Sequence, residues 1–129
     1  MITFNKVTKK YDNIVLDSFS FDFPESGTIC ILGASGIGKT TILNLIAKII
    51  EPDSGYISMD NNKKISFVFQ EDRLLPWLSC KQNLIVVNEN IDFCNEILER
   101  VGLKEFENKF PNEMSGGMKR RCAIARALA

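Results

Sequence analysis

The residues best suited to chemistry lie in one nonapeptide, Gly33-Ala34-Ser35-Gly36-Ile37-Gly38-Lys39-Thr40-Thr41. Gly33, Gly38, Lys39 and Thr40 satisfy G-x-x-x-x-G-K-[ST], the spacing of a phosphate-binding loop. Glycine lets the backbone enter conformations closed to other residues, so successive amide N–H groups can turn inward toward an anion. Lys39 adds a full positive charge suited to β- and γ-phosphates. The Thr40 hydroxyl suits Mg²⁺, and Thr41 can hydrogen-bond an α-phosphate. A helix starting here contributes about half an elementary positive charge from its N-terminus. The loop implies a bound nucleotide but does not choose which one, nor what its energy drives.

Such a loop needs a strand before it and a helix after it. Thr28 to Leu32 is apolar and β-rich, and it predicts a strand covered on both faces, as does Ile65-Ser66-Phe67-Val68-Phe69. Between them, 39–50 has helical periodicity with Thr41, Asn44 and Lys48 on a narrow polar stripe, so the helix is expected to be largely buried. Glu51-Pro52-Asp53-Ser54-Gly55 ends it. Upstream, 2–7 and 14–23 alternate apolar and polar residues as half-exposed antiparallel strands do. A short strand at 56–59 and the polar turn Asp60-Asn61-Asn62-Lys63 follow. The second half predicts helices near 81–87, at 92–101 closed by Gly102, and from about Gly117.

Composition bounds the rest. A chain of 129 residues that is 45% hydrophobic and 25% charged can form one ordinary core. Sixteen basic and sixteen acidic side chains balance, without a run of five like charges, so no nucleic-acid surface is expected. Lys119-Arg120-Arg121 is read as a solvated helix face. Cys30, Cys80, Cys94 and Cys122 are widely spaced, with no CxxC and no histidine to complete a zinc set, which predicts reduced thiols in a cytosolic setting. No apolar run approaches the ~20 residues that span a bilayer, and no signal peptide opens the chain.

Two further landmarks make a resemblance specific. Phe69-Gln70-Glu71-Asp72 follows the loop, and Met114-Ser115-Gly116-Gly117-Met118 precedes KRRCAIARALA. Phosphate loop, glutamine loop and SGG-helix, in this order, resemble the nucleotide-binding domain of ABC transporters along essentially the whole chain. FQEDRLLPWLS is similar to the matching segment of ATPases serving nitrate, sulfonate and taurine importers. The implied fold is α/β, a P-loop NTPase fold of ABC type: an antiparallel β subdomain, a parallel-sheet core, and a helical subdomain inserted at about 80–115.

The resemblance also implies roles. ATP and Mg²⁺ are the cofactors. Gln70 contacts Mg²⁺ or the attacking water, and so joins Thr40 as a metal contact. Ser115, Gly116 and Gly117 meet the γ-phosphate of an ATP held by a second subunit, which suits a hydroxyl and two glycines at a helix N-terminus. Tyr11 stacks on adenine. Met114 and Met118 stand where the family has leucine and glutamine. Of 70–78, Leu74, Leu75, Trp77 and Leu78 need an apolar destination, either the core or a groove that receives a helix of an ABC permease. The expected partners are that permease and, in the intact protein, a second copy. The expected location is cytoplasmic, peripheral at the inner face of the cell membrane.

The family's Asp-Glu pair for hydrolysis lies on a strand beyond the SGG-helix, and its switch histidine lies further on. Leu84-Ile85-Val86-Val87-Asn88-Glu89 imitates that strand but precedes SGG and offers neutral Asn88. CAIARALA carries no helix stop signal. The chain is therefore expected to be a C-terminally truncated, N-terminal fragment that retains ATP contacts and is hydrolytically incompetent alone, with no complete catalytic set. An unpaired sheet edge in it would make it aggregation-prone. A non-transport ABC ATPase, a regulatory ATP-binding module, and a small kinase or GTPase are the alternatives. Neither Gln70 nor SGG has a reason in the last.

Overall fold

The computed structural model describes residues 1–60 and 62–129, so Asn61 of the expected polar turn lies outside the described residues. The chain divides into two compact units, Met1–Ile65 and Ser66–Ala129. No helix is long and apolar enough to cross a membrane among the described residues.

In the first unit, β1 (Ile2–Lys10) is the centre of a three-stranded sheet, antiparallel to β2 (Ile14–Phe23) on one side and to β3 (Ser54–Ser58) on the other. Between its bulges the alternation read from the sequence sets its inner face. Phe4, Val7, Leu16 and Phe23 are buried with Ile42 and Leu45 of α1 (Lys39–Ile46). Phe4 lies edge-on to Phe19 with ring centres 5.7 Å apart, a favoured aromatic geometry. The ladder is irregular near Lys6 and Ser18, both left-handed at φ 48°. There Gly55 lets β3 approach, because a Cβ at that position would stand 2.3 Å from the Lys6 carbonyl oxygen.

Helix α1 ends earlier than its periodicity suggests. Lys48 enters the left-handed region at φ 56°, and its N–H donates to Leu45 O while that of Ile49 donates to Asn44 O. This is the Schellman pattern, which satisfies the last carbonyls before Pro52 is reached. The predicted polar stripe is also altered: Thr41 is buried, Asn44 is half-buried and Lys48 lies outside the helix. Leu43 is exposed.

The two runs expected as covered parallel strands, 28–32 and 65–69, form no ladder, and the strands among the described residues are the three antiparallel ones. Leu32 is 85% exposed and Ile29 is exposed as well. Apolar β-rich sequence supplies the faces of a strand, but the ladder itself requires a neighbour's N–H and C=O groups alongside. β3 is shifted toward Ser54 relative to expectation, because Asp53 N–H already donates to Thr8 O at 2.9 Å.

The second unit is helical: α2 (Cys80–Ile85), α3 (Ile91–Arg100) and α4 (Gly116–Leu128), with short 3-10 turns at Lys104–Phe106 and Pro111–Glu113. Each helix starts on a side-chain cap. Ser79 forms a reciprocal capping box with Gln82, Asn90 accepts from Phe93 N–H, and Ser115 accepts from Met118 N–H. Gly102, at φ 68°, closes α3 as predicted. Cys94, Ile97 and Leu98 recur at helical spacing and meet Leu84, Leu103, Met114 and Cys122 in one buried cluster. Met114 thus fills the core where the family has leucine, and Met118 packs against the same cluster. The imitation strand 84–89 is the end of α2 and the turn after it.

Candidate functional site

The first unit gathers Tyr11 and residues 33–41. Ile37 N–H closes a turn onto Ala34 O at 3.4 Å, with Gly36 at φ 81° at its third position, where a type II turn calls for glycine. Gly38 is the N-cap of α1 at φ 105°, and a Cβ there would stand 2.7 Å from Val15 Cγ1. Glycine is thus required twice over at position 38, by its dihedral and by the β2 strand lying against it. No side chain caps α1. Its first paired amide is Ile42 N–H, bonded to Gly38 O at 3.0 Å, so the helix's own ladder leaves the amides of Lys39, Thr40 and Thr41 unused.

Lys39 Nζ donates to Gly33 O at 2.9 Å and Ala34 O at 2.7 Å. The ammonium therefore ties the start of the loop to the start of the helix. Thr40 is exposed and Thr41 is buried on the core face of α1. Ser35 is exposed beside Gly36. An open cavity of about 360 Å³ lies between the β1–β2 turn and the loop, lined by Tyr11, Asp12, Asn13, Ile14, Val15, Gly36 and Ile37. Tyr11, 57% exposed, is held in a tight turn by its N–H to Asn13 O, and Lys9 Nζ lies 5.8 Å from its ring centre. The cavity joins an aromatic side chain, a wall of apolar Ile14, Val15 and Ile37, and the glycine bend.

The second unit holds Gln70 and residues 115–117. Gln70 is exposed. The segment carrying it is pinned to α4 by two arginines. Arg120 Nη1 donates to Phe69 O and lies 3.5 Å from both Gln70 O and Asp72 Oδ1. Arg126 donates to Arg73 O at 2.9 Å and Asp72 O at 3.2 Å. Arg73, left-handed at φ 45°, sets its guanidinium 4.1 Å from the centre of the Phe69 ring. Arg121 donates to Val101 O and Gly102 O, at the end of α3 where a cation is favoured. The basic cluster expected as a solvated face therefore supplies two structural donors, Arg120 and Arg121. Sequence spacing alone could not reveal this, because their acceptors are main-chain carbonyls 19 to 51 residues away.

Ser115 Oγ accepts from Met118 N–H at 3.3 Å, leaving its own proton free to donate. A Cβ at Gly116 or Gly117 would meet nothing within 4 Å. The chain's own packing does not require glycine at either position. Of the apolar residues after Gln70, Leu74 packs on the buried cluster, Leu75 and Leu78 are half-buried, and Trp77 is 69% exposed. Asn83 secures this stretch: its Oδ1 accepts from Leu75 N–H, and its Nδ2 reaches the carbonyls of Leu75, Leu78 and Ser79. No cluster of three or more metal-type side chains occurs among the described residues.

The model of the family described as ABC transporter matches residues 16–129. The taurine import ATP-binding protein TauB of Rhizobium johnstonii is 43% identical over 128 residues, covering 88% of this chain and 49% of that protein. The nitrate transport protein NasD of Klebsiella oxytoca is 39% identical, covering 90% and 51%. The aliphatic sulfonates import ATP-binding protein SsuB 1 of Mesorhizobium japonicum is 36% identical, covering 97% and 52%. The chain spans about half the length of the curated relatives it matches. Among solved structures, the dimeric structure of MJ0796, a bacterial ABC transporter cassette, superposes with a TM-score of 0.88 at 31% identity, covering 100% of this chain and 69% of that one. A post-hydrolysis state of the same cassette, bound to ADP and Pi, gives 0.90.

Proposed function

This chain belongs to the ABC transporter family, as a homologue of the ATPases of nitrate, sulfonate and taurine importers with the P-loop ABC-ATPase fold, and from that premise we propose that it binds ATP as the nucleotide-binding part of an importer. The observation that carries the reading is the N-terminus of α1. The other three α-helices are capped by Ser79, Asn90 and Ser115, whereas α1 begins at Gly38 without a side-chain cap. Uncapped amides beside Lys39 and a glycine bend suit a polyphosphate, which satisfies the donors that a capping side chain otherwise would. Tyr11 and the cavity beside it suit the base.

Thr40, exposed at the second position of α1, offers Mg²⁺ a hard oxygen. When bound, the ion neutralises charge on the β- and γ-phosphates. Lys39 exchanges the carbonyls of Gly33 and Ala34 for phosphate oxygens, and the loop amides orient the triphosphate.

The MJ0796 cassette is dimeric. A corresponding dimer gives open Gly116 and Gly117 a purpose that the fold itself lacks, namely close approach to the γ-phosphate held by the second copy. Exposed Trp77 suits a helix of a permease, through which the binding of ATP is coupled to import of a solute of the nitrate, sulfonate or taurine type.

Titration of the chain with ATP and Mg²⁺ by calorimetry tests the reading. Lys39→Ala removes charge-assisted hydrogen bonds worth about 1.5–3 kcal/mol, a loss of roughly 10- to 150-fold in affinity. Unchanged affinity in a variant with native circular dichroism refutes the site, and a preference for GTP refutes the nucleotide.

A further inference from the structure

Cys80, at the first position of α2, and Cys122, in the middle of α4, are fully buried, and their sulfur atoms stand 3.1 Å apart. The other two cysteines differ from this pair. Cys30 is exposed, and buried Cys94 bonds its thiol to Asn88 O at 3.2 Å. A buried cysteine ordinarily serves as a small apolar group. Two of them in sulfur-to-sulfur contact, 42 residues apart in sequence, are a different object, because the separation needs to shrink only to about 2.05 Å to become a covalent bond. The backbone holds them in place. Cys80 N–H donates to Lys109 O at 2.8 Å and Lys81 N–H to Glu107 O at 2.9 Å, so the first turn of α2 is fixed against the 107–109 segment.

We infer that Cys80 and Cys122 form an oxidation site at which a hydroperoxide installs an intrachain disulfide, locking α2 to α4. The Cys80 thiolate attacks one peroxide oxygen, breaking the O–O bond and giving sulfenic acid and water. The Cys122 sulfur then attacks the sulfenic sulfur and displaces the hydroxyl as a second water. Two thiols lose two hydrogens and two electrons, and the peroxide gains them. The hydrogen bond between the two sulfurs draws the Cys80 thiol below its ordinary range against the opposing effect of burial, and the same contact with burial pushes Cys122 up. Exchange of the attacking and resolving sulfurs gives the same disulfide and the same two waters. Hydrogen peroxide, close to water in size, is the fitting oxidant, and a bulky disulfide such as oxidised glutathione is excluded by the packing. The lock fixes the α2–α4 packing and with it the helix from which Arg120 and Arg126 hold the 69–73 segment.

The site is independent of nucleotide binding and is tested without it. The Cys30→Ser variant, which removes the exposed thiol and interchain pairing, is treated with hydrogen peroxide, alkylated under denaturing conditions and mapped by peptide mass spectrometry. The expected product is one Cys80–Cys122 linked peptide, lighter by about 2 Da than the sum of its thiols. Cys94 is alkylated, and amide exchange in α2 and α4 slows on the order of a hundredfold until dithiothreitol restores it. Cys122→Val in the same background abolishes the link and the slowing. The inference is overturned if Cys80 and Cys122 both alkylate fully at a peroxide dose that consumes Cys30 in the parent chain, or if either is found linked to Cys94.

Discussion

Removing the Asn83 side chain should loosen the stretch that presents Trp77 and destabilise the helical unit by about 3 kcal/mol. Asn83 is almost fully buried. Its Oδ1 accepts from Leu75 N–H at 2.8 Å, and the two protons on its Nδ2 are shared among the carbonyls of Ser79, Leu78 and Leu75 at 3.0, 3.1 and 3.2 Å. Asn83→Ala strands the Leu75 donor, at about 1–3 kcal/mol, and removes a donor from three carbonyls, of which Leu75 O and Ser79 O keep the N–H groups of Leu78 and residue 83, at about 0.5–1.5 kcal/mol in all. The sole tryptophan, Trp77, sits inside the clamped turn, so urea unfolding followed by its fluorescence should shift by about 1–2 M. Hydrogen exchange at the Leu75 amide should accelerate with it. Asn83→Asp separates hydrogen bonding from packing. It keeps the acceptor but faces the three carbonyls with a carboxylate, so it should be at least as destabilising at neutral pH and should recover in acid as the carboxyl gains a proton to donate. A loss below about 0.5 kcal/mol in both variants, with the Leu75 amide unchanged, refutes the clamp.

Asp53 gives a pH signature in the sheet unit. The Lys10 backbone N–H, at 2.7 Å, and then Lys9 Nζ, at 3.1 Å, hold its carboxyl below the usual carboxylate range. Because the folded pKa lies below the unfolded one, this stabilisation is complete above the unfolded value of about 3.9 and is lost as pH falls through the folded value. Glu25, lowered by its hydrogen bond with the Met1 ammonium, contributes with the same sign. Asp53→Asn and Glu25→Gln should each flatten the acid limb of a stability–pH curve followed by circular dichroism, and an unchanged limb in both contradicts the assignment. The glycines make an opposed pair. Gly38→Ala must adopt φ 105° and meet Val15 at 2.7 Å, costing about 1–2 kcal/mol for the dihedral alone. Gly117→Ala has open space and a helical backbone, and should gain up to about 1 kcal/mol. Thermal melts of the two variants check the order, and a Gly38→Ala variant as stable as the parent refutes the packing of β2 on the loop.

The phosphate loop was legible from local sequence because its requirements are local: glycines at fixed offsets, then a lysine and a threonine at the start of a helix. The same holds for the antiparallel strands read at 2–7 and 14–23, whose alternation reports one buried face between bulges, and for the end of α3, which Gly102 closes within its own turn. Hydrogen-bond partners distant in sequence were not legible. Apolar runs at 28–32 and 65–69 predicted strands but could not supply the neighbouring backbone that makes a ladder. The early end of α1 turned on a left-handed Lys48, a conformation that no propensity favours for lysine. The approach of Val15 to Gly38, the arginines of α4 on the carbonyls of 69–73, and the contact between Cys80 and Cys122 unite residues 23 to 54 positions apart. Periodicity and motif spacing determine which face of an element is apolar and where a local bend forms. Which distant atoms then come within bonding distance is decided only when the elements pack, because their burial fixes positions that no short stretch of sequence encodes.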